Sequence, residues 1–226
     1  MLFPDLEARL DDVRSRIRAA VERGVHGQSV TIVAVTKTHG PEAVLAAHDA
    51  GLDDVGENRV QEAVAKMEAV KISVRWHLIG HLQRNKVKSL GGFTLFHALD
   101  STRLANAVNE FGLEGSEPIA VLVQVNVVGE ATKGGFSPGE IAEHAAMLAR
   151  LDGIRVKGVM TMARLGAGED ELRRTFEAAR DARSVLKTAG HPATELSMGM
   201  SSDYEIAAEE GATMVRLGTT LFGVRE

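Results

Sequence analysis

The residue with the clearest chemical meaning is Lys37, which ends the stretch Thr31–Lys37, Thr-Ile-Val-Ala-Val-Thr-Lys. A run of β-branched and small apolar residues predicts a parallel strand that is buried on both faces. The carboxyl end of such a strand is where barrels and α/β sheets hold their reactive groups. We expect partial burial there to lower the pKa of the lysine amine, as an amine that condenses with a carbonyl group requires.

Two later loops are typical of phosphate binding. Ser197–Ser202, Ser-Met-Gly-Met-Ser-Ser, follows a predicted seventh strand, and Gly218–Thr220 follows an eighth. Ser201 and Ser202 are predicted to open one helix, and Gly218 and Thr219 a short last helix, so free backbone N–H groups would face an anion. For either loop taken alone, the serines and glycines are explained well enough as helix caps and turn residues. Both loops together, opposite a lysine at a strand end, favour a phosphate site.

Arg216 gives a second indication. Strand alternation places it on the same face as Met214 and Gly218. If that face points into a barrel, Arg216 is a buried cation that needs a partner. Two interpretations are equally open at this stage: contact with a ligand, or a structural ion pair with Glu57 or another interior acid.

A lysine nucleophile beside a phosphate site fits a phosphorylated carbonyl compound. Pyridoxal 5′-phosphate has the required aldehyde and dianionic phosphate, and a pyridine nitrogen that needs a neighbour. An aldolase acting on a sugar phosphate fits the same two features, but also needs an acid or base beside the lysine. Glu57 is the candidate for that group, since Tyr204, the single tyrosine, falls in the helix of the phosphate loop.

The elements that must position these residues alternate between strand and helix along the chain. The predicted strands are 31–36, 53–55, 74–79, 94–97, 119–127, 155–160, 194–196 and 213–217. An amphipathic helix carrying Leu6, Leu10, Val13, Ile17 and Val21 precedes them. Eight strands alternating with helices predict one (β/α)8 barrel domain over residues 1–226, in preference to an open sheet.

Composition excludes several classes of function. The 31 acidic and 26 basic side chains give a net charge of −5 without a basic stripe, so no nucleic acid or membrane partner is expected. Cysteine is absent, which excludes disulfides and thiolate chemistry. The histidines show no metal-binding spacing, so no metal site is predicted. We expect a cytoplasmic protein, since no signal segment or membrane span is evident.

Five motifs occur in order along the chain: Val33–Lys37, Gly56–Glu62, Trp76–Lys86, Leu196–Ser201 and Met214–Thr219. With their spacing they closely resemble the YggS/PROSC family, the pyridoxal phosphate homeostasis proteins, over nearly the whole chain. The resemblance implies a barrel similar to the N-terminal domain of alanine racemase.

The resemblance also implies pyridoxal 5′-phosphate as the cofactor, held as a reversible Schiff base on Lys37. By motif position, Asn58 would contact the phenolate side of the ring. Ser201, with the backbone groups of Gly218 and Thr219, would hold the phosphate.

On the same resemblance, Arg216 would face the pyridine nitrogen and His77 would line the pocket near the ring. The alternative for His77 is a strand histidine whose partners all lie in the protein. A cation at the nitrogen disfavours its protonation and weakens the cofactor as an electron sink. The chain also ends after the barrel, where alanine racemase continues into a domain with a tyrosine base. We therefore expect a monomeric carrier that buffers the cofactor and supplies apo-enzymes.

Two alternatives remain open: a racemase-like enzyme acting on a small amino acid and, less favoured, the aldolase. The chain also departs from the family, which often has proline and serine in place of His81 and Arg84, and aspartate in place of Ser202. Lys133 is a candidate anion contact, although a solvated turn explains it better.

Overall fold

The alternating strands close on themselves. A computed structural model describes residues 3–130 and 134–223, in which eight parallel strands form a closed barrel in sequence order, with β8 pairing back to β1. This confirms the fold class predicted from the sequence. The strands are β1 (Thr31–Val35), β2 (Asp54–Glu57), β3 (Arg75–Leu78), β4 (Leu95–Leu99), β5 (Ile119–Gln124), β6 (Ile154–Met160), β7 (Glu195–Ser197) and β8 (Met214–Leu217).

Helices surround the barrel and connect its strands. They are α1 (Leu6–Arg23), α2 (Pro41–Asp49), α3 (Val60–Ala69), α4 (Thr102–Glu114), α5 (Ile141–Leu148), α6 (Glu169–Thr188), α7 (Tyr204–Glu209) and α8 (Thr219–Phe222), with 3-10 helices at Arg84–Gly92 and Pro138–Glu140. Among the described residues, none of these helices has the length and apolar character needed to cross a bilayer.

A large apolar core joins the helices to the barrel wall. Leu10 of α1, Leu78 of β3, Leu122 of β5 and Phe176 of α6 belong to the same buried cluster. The inward faces of several strands are polar instead: His97 of β4 and Ser197 of β7 hydrogen bond to each other although their strands are not neighbours. That bond therefore crosses the interior of the barrel, called the lumen below.

Two predicted boundaries are wrong. Strand β5 ends at Gln124 rather than at residue 127, because the returning chain bonds there: the N–H of Phe136 donates to the carbonyl of Gln124. The helix after β7 begins at Tyr204 rather than at Ser202, because Asp203 accepts the N–H of Met200 and holds a turn before it. The segment after β3 is the 3-10 helix Arg84–Gly92.

Candidate functional site

The carboxyl ends of the strands surround a cavity of about 590 Å³, called the mouth cavity below. Lys37 lies on its rim, two residues beyond the end of β1, and Asn58 follows β2. The side chain of Lys37 is exposed, so the expectation of partial burial is wrong. The reason is that the strand ends before the lysine and the turn carries it over the edge of the barrel. The lining includes Lys37, Asn58, Gly80, His81, Asp100 and Gln124.

The residue after the lysine has a strained backbone. Thr38 has a φ of +68°, a left-handed conformation that is costly for a β-branched residue. Its N–H donates to Glu62 Oε1 at 2.6 Å, and Lys66 Nζ donates to the carbonyl oxygen of Thr36 at 2.8 Å. Both neighbours of Lys37 are thus held by side chains of α3. These contacts fix the direction in which the lysine leaves the barrel wall.

The group that holds this turn is an ionic cluster between the barrel wall and α3. We call Thr36, Glu57, Glu62 and Lys66 the outer cluster. Lys66 is 4% exposed and donates to Glu57 Oε1 at 2.6 Å and to Glu62 Oε1 at 3.0 Å. Thr36 Oγ1 donates to the same Glu57 oxygen at 2.5 Å. Burial raises the pKa of Glu57, and the hydrogen bonds from Lys66 and Thr36 oppose that rise.

The outer cluster overturns two expectations about Glu57. Its carboxylate points toward α3 and is fully buried there, so it is not an acid or base in the mouth cavity beside Lys37. Glu57 is not the ion-pair partner of Arg216 either, because its carboxylate forms an ion pair with Lys66. The physical reason is strand alternation: Val55 and Glu57 face the helices, whereas Asp54 and its lumen contacts lie on the other face. Without that carboxylate, the aldolase interpretation loses its candidate acid or base.

Arg216 lies in the lumen and is 5% exposed. Its Nη1 donates to Ser197 Oγ at 2.6 Å, and its Nη2 donates to the carbonyl oxygen of Thr161 at 2.9 Å. Within residues 3–130 and 134–223, no carboxylate makes an ion pair with it. Burial lowers the pKa of the guanidinium to about 10, against the opposing charge of Asp203, so the group stays positive at neutral pH.

Below Arg216, a line of hydrogen bonds crosses the lumen. Ser197 Oγ lies 2.9 Å from His97 Nδ1, and His97 Nε2 lies 2.8 Å from His77 Nδ1. His77 Nε2 lies 2.9 Å from Asp54 Oδ1. We call Asp54, His77, His97, Ser197 and Arg216 the lumen network. Protein partners thus engage both ring nitrogens of His77, and among the described residues it is not part of the lining of the mouth cavity.

Two members of the lumen network, His97 and Asp54, have shifted pKa values. Burial is the main cause that lowers the pKa of His97 well below its ordinary value of 6.5, and the positive charge of Arg216 acts in the same direction. At Asp54, burial alone would raise the pKa, but hydrogen bonds from Arg75 and His77 outweigh it and lower the pKa to about 2. At neutral pH the network therefore holds a neutral His97 between an anion and a cation.

Sequence reasoning missed Asp54, His97 and Ser197 as members of this network. The alternation of inward and outward side chains along each strand was the signal that could have indicated these partners. His77 lies at an inward position of β3, next in register to Gly56 of β2, and a polar side chain at such a position needs partners within the barrel. Cross-barrel pairing could not be read from the chain, because β4 and β7 are distant in sequence and are not neighbours in the barrel.

The two predicted phosphate loops lie side by side. The N–H of Thr220 donates to Ser201 Oγ at 3.3 Å, which joins the loop after β7 to the first turn of α8. Gly199 has a φ of +93°, and a Cβ there would lie 2.6 Å from the Cβ of Ala207, so only glycine allows this turn. Ser201 lines a second cavity of about 490 Å³ outside the barrel, together with Thr220 and Tyr204.

The phosphate loops lie close to the strand end that carries Lys37, but among the described residues Ser201, Gly218 and Thr219 are not part of the lining of the mouth cavity. Gly218 follows Leu217, which is in register with Ala34 of β1, so the phosphate loops and Lys37 occupy neighbouring strand ends. A Cβ at Gly80 would lie 2.2 Å from the carbonyl oxygen of Asn58, so glycine allows the loop after β3 to approach Asn58 closely. Neighbouring strands thus supply an amine, hydroxyl and amide donors, and a buried cation.

The departures from the family pattern lie on the rim. His81 is exposed, and its Nδ1 lies 2.8 Å from Asp100 Oδ2. Arg84 is exposed at the start of the 3-10 helix, and Ser202 is exposed beyond Ser201. Lys133 lies outside the described residues.

Tyr204 is buried in α7 and lines the second cavity, outside the barrel, with Asp12 and Arg16 of α1. Burial raises the pKa of its hydroxyl group. Among the described residues that line the mouth cavity there is no tyrosine.

Comparison with known proteins finds relatives over nearly the whole chain. The family model described as the N-terminal domain of alanine racemase matches residues 8–226. A pyridoxal phosphate homeostasis protein of Aquifex aeolicus is 40% identical over 222 residues, which cover 96% of this chain and 97% of that protein. The protein of the same name from Escherichia coli strain K12 is 38% identical over 231 residues, or 98% and 97% of the two chains.

Solved structures agree with these relatives. PipY of Synechococcus elongatus without pyridoxal phosphate superposes with a TM-score of 0.87 at 34% identity, covering 96% of this chain and 100% of that chain. The structure of PipY with the cofactor bound superposes with a TM-score of 0.84 at the same identity and coverage.

Proposed function

Because the chain belongs to the alanine racemase N-terminal domain family, with pyridoxal phosphate homeostasis proteins as relatives over nearly their whole length, we propose that it binds pyridoxal 5′-phosphate and maintains the supply of that cofactor in the cell. The observation that carries this proposal is the exposed Lys37 on the rim of the mouth cavity, beside the phosphate loops. The cofactor-bound structure of PipY, a protein with the same fold, supports it.

Each predicted site residue has a part in this binding. Lys37 Nζ would form the reversible covalent link to the aldehyde carbon, with loss of one water. Ser201 and the backbone N–H groups of Gly218 and Thr219 would hold the phosphate. Asn58, next to Lys37 in the lining, would contact the phenolate side of the ring. When bound, the cofactor supplies an aldehyde that condenses with amines and a pyridine ring that withdraws electrons.

Arg216 and His77 would act on the ring from the lumen side. The guanidinium of Arg216 is fixed by Ser197 and Thr161 and is positive at neutral pH, so it would disfavour a proton on the pyridine nitrogen. His77 would contribute through its contact with His97 rather than by touching the ring.

These features favour a carrier over an enzyme with fast turnover. An unprotonated pyridine is a weak electron sink, and among the described residues no tyrosine lines the mouth cavity with Lys37. Because Lys37 is exposed, its Schiff base with the cofactor would be accessible to amines from solvent or from an apo-enzyme. Such an amine would form its own imine bond to the cofactor and free Lys37, which suits release. We propose that the chain acts as a monomer in the cytoplasm, where it would meet such recipients.

Cofactor transfer tests this function. The loaded chain is mixed with the apo-form of a pyridoxal-dependent aminotransferase, and we expect aminotransferase activity to recover. Lys37→Ala should carry no cofactor through gel filtration, and therefore restore no activity. Lys88→Ala removes an exposed lysine of the 3-10 helix and should behave as the unmodified chain does.

The same sample separates a carrier from an enzyme. We expect the loaded chain to give no steady product with small amino acids. Racemised or transaminated product formed at ordinary enzymatic rates, on the order of 10 s⁻¹, would contradict the carrier function and support a racemase-like enzyme.

A further inference from the structure

We propose that Ser197, His97, His77 and Asp54 are positioning residues, which hold Arg216 toward the cofactor by a one-directional line of hydrogen bonds that leaves its positive charge unpaired. This inference rests on the proposed function, because it gives a role to Arg216 as the neighbour of the pyridine nitrogen. It adds a reason why that cation keeps its full charge inside the barrel.

The geometry places three side chains between the cation and the nearest anion of the network. Arg216 bonds to Ser197, Ser197 contacts His97, His97 contacts His77, and His77 reaches Asp54, with donor–acceptor distances of 2.6, 2.9, 2.8 and 2.9 Å. All five residues are buried, with exposed fractions from 0 to 9%. In such surroundings an unsatisfied polar group is costly, so each hydrogen atom must have an acceptor.

The direction of the line follows from its two ends. A guanidinium only donates, so Ser197 Oγ accepts from Arg216 and turns its own hydrogen toward His97 Nδ1. His97 then carries its hydrogen on Nε2 and donates to His77 Nδ1. His77 in turn carries its hydrogen on Nε2 and donates to Asp54. Both histidines are therefore expected as the neutral Nε2–H tautomer.

The far end of the line is closed by a second cation. Arg75 donates to Asp54 through Nε at 2.8 Å and through Nη2 at 2.5 Å. Asp54 is thus an ionised acceptor for both Arg75 and His77, and its low pKa agrees with that state. The negative charge is neutralised at the amino-terminal end of the barrel and does not reach Arg216.

This arrangement has a consequence for the site. A carboxylate in direct contact would hold Arg216 equally well, but would cancel much of its field at the pyridine nitrogen. A neutral hydroxyl backed by two neutral imidazoles fixes the guanidinium while leaving its charge directed at the ring. Ser197 thus orients the guanidinium of Arg216 without neutralising its charge.

The first test reads the tautomers in the unmodified chain. Nitrogen-15 chemical shifts of the histidine rings at pH 8, without cofactor, should show hydrogen on Nε2 of both His77 and His97. His48 is the internal control, because its Nδ1 lies 2.7 Å from Asp53 and should carry the hydrogen instead. A hydrogen on Nδ1 of His97, or a charged His97, would overturn the proposal whatever the cofactor does.

The second test interrupts the line of hydrogen bonds between Arg216 and Asp54 and measures cofactor binding. His97→Leu should weaken pyridoxal phosphate binding by about tenfold, the upper end of the loss expected for one hydrogen bond between neutral groups, and should shift the midpoint of the spectral pH titration of the bound cofactor. His48→Leu removes a half-exposed histidine–aspartate pair and should leave both the binding affinity and the titration midpoint unchanged. Identical affinity and titration in His97→Leu and the unmodified chain would overturn the positioning role.

The two tests separate this inference from the function on which it rests. Failure of the chain to bind the cofactor would refute the proposed function while the ring tautomers still report on the hydrogen-bond line. Binding at Lys37 with the wrong tautomer of His97 would refute the line alone. Should His97→Leu fail to fold, the tautomer measurement on the unmodified chain decides the matter.

Discussion

Two buried cations lie on opposite faces of the barrel wall, and they are held in different ways. Outside β1 and β2, Lys66 of the outer cluster bonds two carboxylates, those of Glu57 and Glu62. Inside the lumen, Arg216 bonds a hydroxyl and a carbonyl oxygen, and its network reaches a carboxylate only through Ser197 and the two histidines. The comparison agrees with a structural role for Lys66 and with the proposed role of Arg216 as a cation that faces the cofactor.

The difference also decides which interactions are costly to lose. Removing Lys66 leaves two carboxylates close together, one of them fully buried with an oxygen, Oε2, that already lacks a hydrogen-bond partner. Such uncompensated burial of charge is among the most destabilising changes in proteins. Loss of a neutral member of the lumen network costs less, because no ion pair is broken.

The largest effect is expected at Lys66. Lys66→Met should lower the free energy of unfolding by about 3–5 kcal/mol, because Glu57 then lacks its cation. Urea unfolding followed by circular dichroism measures this. Arg164→Met, which removes an exposed pair with Glu171, is the control and should leave the midpoint almost unchanged. If adding Glu57→Gln to Lys66→Met restored no stability, the ionic account of the outer cluster would be wrong.

The next effect concerns Asp54 and acid. The pKa of Asp54 is about 2 in the folded chain against 3.8 ordinarily, so its stabilisation is present above about pH 4 and lost as the pH falls toward 2. Asp54→Asn should therefore cost about 2 kcal/mol at pH 6 and much less at pH 2.5. Urea unfolding at the two pH values measures the difference. An equal cost at both would show that Asp54 is not ionised in the network.

A smaller effect is expected at His97. Its pKa is lowered in the folded chain, so below pH 6.5 the unfolded chain takes up a proton that the folded chain does not. Stability should fall by up to about 1.4 kcal/mol per pH unit below 6.5 from this residue alone. Comparison of unfolding at pH 7.5 and 5.5 should show a flatter dependence in His97→Leu. Parallel pH profiles for the two proteins would contradict a neutral, buried His97.

The smallest effect concerns the turn that carries Lys37. Thr38→Gly should stabilise the chain by up to about 1 kcal/mol, because relief of the left-handed strain exceeds the entropy lost by glycine. Gly129→Thr is the reverse control: its φ is +69° and no atom lies within 4 Å of a Cβ built there, so strain alone should lower stability. A loss of stability in Thr38→Gly would show that the turn is not strained.

The fold could be predicted from the sequence because it depends on local signals. Strand and helix patterns alternate eight times, and the type and order of those elements leave few topologies. The ends of elements were harder to predict. Strand β5 is shortened by a backbone hydrogen bond from Phe136. Helix α7 begins later than predicted because the side chain of Asp203 holds a turn before it. Neither interaction follows from a periodic pattern in the sequence.

The candidate site was only partly predictable. The sequence indicated Lys37, Asn58 and the phosphate loops, since each follows a strand that was recognised, and the structure places them at adjacent strand ends. The side of the wall on which Glu57 lies depends on the register of a four-residue strand, and its prediction was wrong. The exposure of Lys37 depends on a turn held by α3, which no local pattern encodes.

The central claim is that Lys37, and not the buried Lys66, is the amine that takes the cofactor. Incubation with pyridoxal 5′-phosphate, reduction with borohydride and peptide mass mapping tests it directly. We expect one reduced adduct, on Lys37, and none in Lys37→Ala, because Lys66 is held by two carboxylates. An adduct on Lys66 or Lys86, or no adduct in the unmodified chain, would contradict the account.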